Sequence, residues 1–119
     1  MVLADEIWLS QILVNLISNA ISATNKNEKR NVWISVTKVN EEKAQYKIEV
    51  KDNGTGIEES NLQRIFEPFF TTKPTTKGLG LGLSISFNLA KDMNGSLEAR
   101  NHEAGGALFT LCLSVTSLN

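Results

Sequence analysis

Asn15 and Asn19 stand four residues apart in a stretch otherwise dominated by Ile and Leu. That spacing stacks them on one side of a helix. Asparagine is a poor interior helix residue, because its side chain competes for backbone hydrogen bonds. Two stacked amides flanked by Ile12 and Leu16 can be an exposed polar edge. They can also aim neutral oxygens at a hard cation or at the water around phosphate. Oxygen ligands suit Mg²⁺, which keeps several waters and shares its shell with substrate phosphates. A second stretch, Asp52-Asn53-Gly54-Thr55-Gly56-Ile57, places a carboxylate at a strand end before two spaced glycines. This is a common turn composition. It also suits a nucleotide pocket: the carboxylate can accept a hydrogen bond from the exocyclic amine of adenine, and the glycines leave room for the flat base. Guanine carries a carbonyl oxygen at that position and cannot donate. A third stretch, Gly78-Leu79-Gly80-Leu81-Gly82-Leu83-Ser84-Ile85-Ser86, alternates glycine with leucine and runs into an apolar helical pattern. Glycine admits positive φ and close approach of a ligand to the main chain. A helix start offers unpaired N–H groups and a partial positive charge, hence an anion site. Read alone, a flexible turn before a helix would look the same. The spacing is neither the dinucleotide-binding G-x-G-x-x-G nor a P-loop. Lys73 and Lys77 are the cations near this run and could meet a terminal phosphate, although solvated lysines are the default in such a loop.

The elements that must position these groups can be read from periodicity. Residues 5–24 are expected to be a helix, with Leu9, Ile12, Leu13, Leu16, Ile17 and Ala20 as a broad apolar face. Gln11, Asn15, Ser18, Asn19 and Ser22 form a polar stripe beside it. Residues 25–30 are a polar loop. Val32, Ile34 and Val36 then alternate with Trp33, Ser35 and Thr37, and Ala44, Tyr46, Ile48 and Val50 alternate with Gln45, Lys47, Glu49 and Lys51. This predicts a β-hairpin with one buried face. A short helix is expected over 58–65. The segment 66–77 carries two prolines and four threonines, so it should be irregular, with Phe66, Phe69 and Phe70 anchoring one end. A second long helix over 83–94 should stop at Asn94-Gly95. Two strands follow, 96–100 and 107–115, around a turn that holds the single His102. A lone turn histidine is expected to be a surface residue.

Composition bounds the rest. The chain has 119 residues, 41% hydrophobic and 21% charged, which fits one domain with a core. A net charge of −1 gives no sign of a nucleic-acid or acidic-lipid surface. The single Cys112 forms no internal disulfide and lies in an apolar, strand-like run. No apolar run approaches the ~20 residues of a membrane helix. A cytoplasmic location is expected, with no direct membrane contact for this domain and a parent protein that could be anchored. The abrupt start inside an amphipathic helix suggests a fragment of a longer chain.

Taken together, the stretches resemble the catalytic, ATP-binding domain of sensor histidine kinases, within the superfamily of gyrase, heat-shock-90, histidine kinase and mismatch-repair ATPases. Residues 11–20 look like the N box, 52–57 the G1 box, 65–73 the F box and 78–83 the G2 box, in the family's order along the chain. Gly105-Gly106-Ala107-Leu108-Phe109 resembles the family's last glycine-containing strand entry. The implied fold is an α/β (α+β) two-layer sandwich: a mixed sheet of about five strands with helices on one face. The fifth strand could come from residues 2–4 or be missing with a truncation.

The resemblance also implies roles. Asn19 would bind Mg²⁺, with Asn15 supporting the metal and phosphates. Asp52 would hold the adenine amine, with Gly54, Gly56 and Ile57 shaping the pocket. Residues 66–81 would be the ATP lid. Phe70, Thr71, Lys73, Lys77, Gly78, Leu79, Gly80, Leu81, Gly82 and Leu83 would line or contact the nucleotide, and Asn15 and Lys73 would assist transfer. The ATP-hydrolysing relatives usually carry a glutamate general base where Asn15 stands. Asn15 instead suits a phosphoryl donor, whose acceptor would be a histidine on a separate dimerisation domain, with a response regulator downstream. Ser22 stands where many members place a lysine near the phosphates, so Lys73 or Lys77 would supply that charge. Ala107 replaces a frequent threonine, which weakens a base contact there. An ATPase of the same superfamily and a non-catalytic nucleotide- or partner-binding module are the alternative readings.

Overall fold

In a computed structural model the protein is described at residues 3–24, 29, 31–40, 45–68, 70, 82–103 and 105–114. The elements are α1 (Leu3–Ala23), β1 (Val32–Asn40), β2 (Gln45–Asp52), α2 (Glu59–Leu62), α3 (Gly82–Asp92), β3 (Ser96–Asn101) and β4 (Ala107–Ser114). The strands form one sheet in the order β1-β2-β4-β3. Helices α1 and α3 pack against each other, α1 over β2 and α3 over β3.

The apolar periodicity of α1 acts as expected. Ile12, Leu16 and Ala20, four apart, are sealed from solvent, and Leu9 and Leu13 pack beside them. Across the layer they meet Ile48 and Val50 of β2, Leu97 of β3, and Phe109, Leu111 and Leu113 of β4. Burying each such side chain contributes about 1.5–3 kcal/mol. Phe66 joins this core between two rings, stacked on Phe87 at 5.0 Å and edge-on to Phe109 at 6.3 Å. Phe70 packs against the same cluster, while Phe69 lies outside the described residues. The short helix is one turn, Glu59–Leu62, and continues as turns and bends to Pro68.

The second long helix ends as its sequence predicts. Asn94 adopts φ 61°, its N–H reaches the Lys91 carbonyl at 3.0 Å, and the Gly95 N–H reaches that of Ala90 at 2.8 Å. This is a Schellman stop with asparagine in the left-handed position. Gly95 has a different job: a Cβ there would lie 2.1 Å from the Cys112 carbonyl oxygen, so glycine lets β3 start against β4.

Two expectations are corrected. The described sheet has four strands rather than five, and every pairing is antiparallel rather than mixed. Residues 3 and 4 belong to α1, not to a strand. Two hairpins, β1–β2 and β3–β4, joined through β2 and β4, leave no parallel neighbour. The hairpin register also places Ile34 opposite Val50 and Val36 opposite Ile48, on the helix-facing side. Yet Ile34 is 52% and Val36 64% exposed, against 1% for Val50 and 7% for Ile48. The helix layer is two helices wide and stops over β2, so the edge strand overhangs it.

Candidate nucleotide site

Asp52 closes β2. Ile48, Val50 and Asp52 alternate onto the helix-facing side, so the pattern that buries two aliphatic side chains also buries this carboxylate, to 1% exposure. Its Oδ1 accepts the Gly54 N–H at 2.8 Å and the Ala107 N–H at 3.2 Å. Among the described residues no hydrogen bond falls on Oδ2. The carboxylate is thus held by one oxygen, and the second can still accept a hydrogen bond.

Backbone segments converge around it. A Cβ on Gly54 would sit 2.3 Å from the Ala23 carbonyl oxygen, at the last residue of α1. A Cβ on Gly106 would sit 1.9 Å from the Asp52 carbonyl oxygen. Glycine is therefore required where the Asp52 loop meets the end of α1 and where the β3–β4 turn crosses it. Asn53 ties the loop on one flank: its Nδ2 donates to the Lys29 carbonyl at 2.6 Å and its Oδ1 accepts the Asn31 N–H at 3.0 Å. Asn101 ties it on the other, at Ile57. Ile57 itself packs against the core.

The asparagine edge of α1 faces α3. Asn15 Nδ2 donates to the Gly82 carbonyl at 3.1 Å and to Ser86 Oγ at 2.9 Å, and its Oδ1 accepts from Gln11 Nε2 at 3.2 Å. Asn15 therefore docks the first turn of α3 onto α1. Asn19 lies one turn further along the same edge, half-buried, and among the described residues its amide makes no hydrogen bond. The order along α1 is then the α3 start at Asn15, the amide of Asn19, and the Asp52 loop at Ala23. Asn19 and Ala23 are about 6 Å apart along the helix axis, at 1.5 Å per residue. Gly82, at the positive end of α3, faces Asn15, where an added Cβ would make ordinary contact at 3.7 Å. Leu83 packs into the core.

Of the predicted residues, Asn15, Asn19, Asp52, Gly54, Gly56, Ile57, Phe70, Gly82 and Leu83 are placed. Thr71, Lys73, Lys77, Gly78, Leu79, Gly80 and Leu81 lie outside the described residues. His102 is half-buried, with Nε2 3.5 Å from Lys51 Nζ, and Lys51 Nζ lies 4.8 Å over the Trp33 ring. Sequence reasoning assigned no part to Ser86 or Asn101. Each acts through a partner more than forty residues away, and neither carries a local signal.

A carboxylate pinned by one oxygen, an amide on a helix edge with no hydrogen bond among the described residues and a glycine-headed helix start make up the candidate site. Residues 4–117 match the family described as histidine kinase-, DNA gyrase B-, and HSP90-like ATPases. The C4-dicarboxylate transport sensor protein DctB of Pseudomonas aeruginosa is 43% identical over 111 residues, covering 92% of this chain and 18% of the relative. Sensor histidine kinase ZraS of Escherichia coli K12 is 41% identical over 112 residues, covering 94% and 23%. Among solved structures, the nucleotide-free catalytic domain of histidine kinase ThkA aligns with a TM-score of 0.77 at 32% identity, covering 91% of this chain and 66% of that one. Full-length ShkA, in complex with AMPPNP, aligns at 0.74 and 30% identity, covering 89% and 21%. The chain belongs to the histidine kinase-, gyrase- and HSP90-like ATPase family. Within it, the chain is the catalytic, ATP-binding domain of the sensor histidine kinase type, and it spans less than a quarter of the length of these curated relatives. Among the described residues, no helix is long and apolar enough to cross a membrane.

Proposed function

We propose that this chain binds Mg²⁺–ATP along the α1 edge and donates the γ-phosphoryl group to a histidine on a separate dimerisation domain, with a response regulator downstream. The observation that carries the reading is Asp52: a buried carboxylate whose Oδ1 accepts two backbone N–H groups while Oδ2, without a hydrogen bond among the described residues, can accept an adenine amine. Asn19 fits a Mg²⁺ role, because its amide oxygen has no protein partner among the described residues and sits between the base end and the α3 start. The ion would supply charge neutralisation on the phosphates, and most of its ligands would be water and phosphate oxygens. Asn15 orients the α3 start through Gly82 and Ser86 and has no proton-accepting side chain with which to activate water. Catalysis then consists of positioning and charge neutralisation rather than base chemistry. We infer that the family's lid segment, residues 66–81, closes over the phosphates, with Lys73 and Lys77 supplying cations. The domain is assigned to the cytoplasm, whether or not the parent is anchored.

Labelled ATP mixed with this chain and a separately expressed acceptor-helix domain should label the acceptor. Steady phosphate release without any acceptor would mark an ATPase instead. Persistent labelling in Asn19→Ala would refute the metal role.

A further inference from the structure

Asn101 is the last residue of β3, paired with Ala107, whose N–H donates to Asp52 Oδ1. Its exposed side chain leaves the sheet and meets the loop that follows Asp52. Oδ1 accepts the Ile57 N–H at 2.7 Å, and Nδ2 donates to the Ile57 carbonyl at 2.6 Å. One amide thus satisfies both backbone groups of one loop residue, as a neighbouring strand would. The loop needs such help, because residues 54–58 form neither helix nor strand. Gly56 completes the fit: it sits at φ 79°, and a Cβ there would lie 2.9 Å from Asn101 Oδ1. The same short stretch of β3 and β4 therefore fixes both the carboxylate, through Ala107, and the wall beside it, through Asn101.

We propose that Asn101 is a positioning residue for base recognition: it sets the distance between the Gly56–Ile57 wall and Asp52, so that a flat base can reach Oδ2. This rests on the reading of Asp52 as the acceptor of the adenine amine. Losing the bidentate pairing lets the wall move, and selectivity for the amine falls before phosphate binding does.

The test measures affinities for Mg²⁺–ATP and Mg²⁺–ITP by displacement of a fluorescent ATP analogue. ITP replaces the amine by a carbonyl. Asn101→Ala should weaken ATP binding about tenfold, or about 1.4 kcal/mol, and ITP binding much less, with the circular dichroism spectrum unchanged. Asn101→Asp keeps the size of the side chain but loses the donor to the Ile57 carbonyl. It should lower the ATP-to-ITP ratio too, and it decides the matter if the alanine variant misfolds. Asp52→Asn is the control for the underlying reading and should abolish the preference for ATP. If Asp52→Asn abolishes it and both Asn101 variants leave it intact, the role of Asn101 is overturned alone. Equal losses for ATP and ITP in the Asn101 variants would also overturn it, as a general effect on the site. If Asp52→Asn leaves the preference intact, the reading of Asp52 itself fails, and the role of Asn101 with it.

Discussion

Single residues here separate into those the fold needs and those proposed to serve a ligand, and the glycines make the distinction measurable. Gly54 faces backbone: its missing Cβ would meet the Ala23 carbonyl oxygen at 2.3 Å. Gly54→Ala should cost about 1–3 kcal/mol, as over-packing does, and calorimetry should show a lower melting temperature. Gly82 has room among the described residues, with the nearest atom of Asn15 at 3.7 Å. Gly82→Ala should melt near the parent temperature yet bind ATP more weakly, because it stiffens the start of α3 where phosphate N–H donors are expected. A melting temperature that falls as far as in Gly54→Ala would contradict that separation. Asp52 was legible only in company: a carboxylate at a strand end before spaced glycines is by itself a common turn composition, and the Asn15–Asn19 pair and the glycine run gave it meaning. Asn101 was not, since an asparagine before a turn looks like any other turn residue.

At the scale of elements, the α1–α3 contact is where stability and site share atoms. Ser86 is sealed from solvent and accepts from Asn15. Ser86→Ala should cost about 1 kcal/mol in urea denaturation and should also weaken nucleotide binding, since it loosens α3 against the Asn15 edge. The sheet offers a second contrast. Leu111→Ala, at a fully buried position of β4, should cost about 2–5 kcal/mol. Val36→Ser, on the overhanging β1, should stay within about 0.5 kcal/mol. Both positions carry the same alternating signal, and equal losses would show that β1 is covered after all. Alternation reports which side of a strand faces the helices. It does not report how far the helix layer extends, and that is why the exposure of Ile34 and Val36 could not be read from it.

At the scale of the molecule, the elements were legible because each arises from local periodicity: the 3.6-residue repeat of α1, the two-residue repeat of β2 and β4, the Asn94-Gly95 stop. What joins them was less so. The bonds from Asn15 to Gly82 and Ser86, and from Asn101 to Ile57, span 44 to 71 residues and depend on the sheet order β1-β2-β4-β3. That order has one further consequence. Lys51 pairs with Leu108 at the centre of the sheet, so the chain from α2 through residues 71–81 to β3 is a single excursion that must be closed once. Closure entropy grows only with the logarithm of length: each doubling costs about 0.6 kcal/mol. Ten glycine and serine residues inserted between 71 and 77 should therefore change unfolding free energy by only a few tenths of a kcal/mol, as urea titration would show. A loss of more than about 1 kcal/mol would show that the connection between Phe70 and Gly82 adds to the stability of the sheet rather than only linking its two halves.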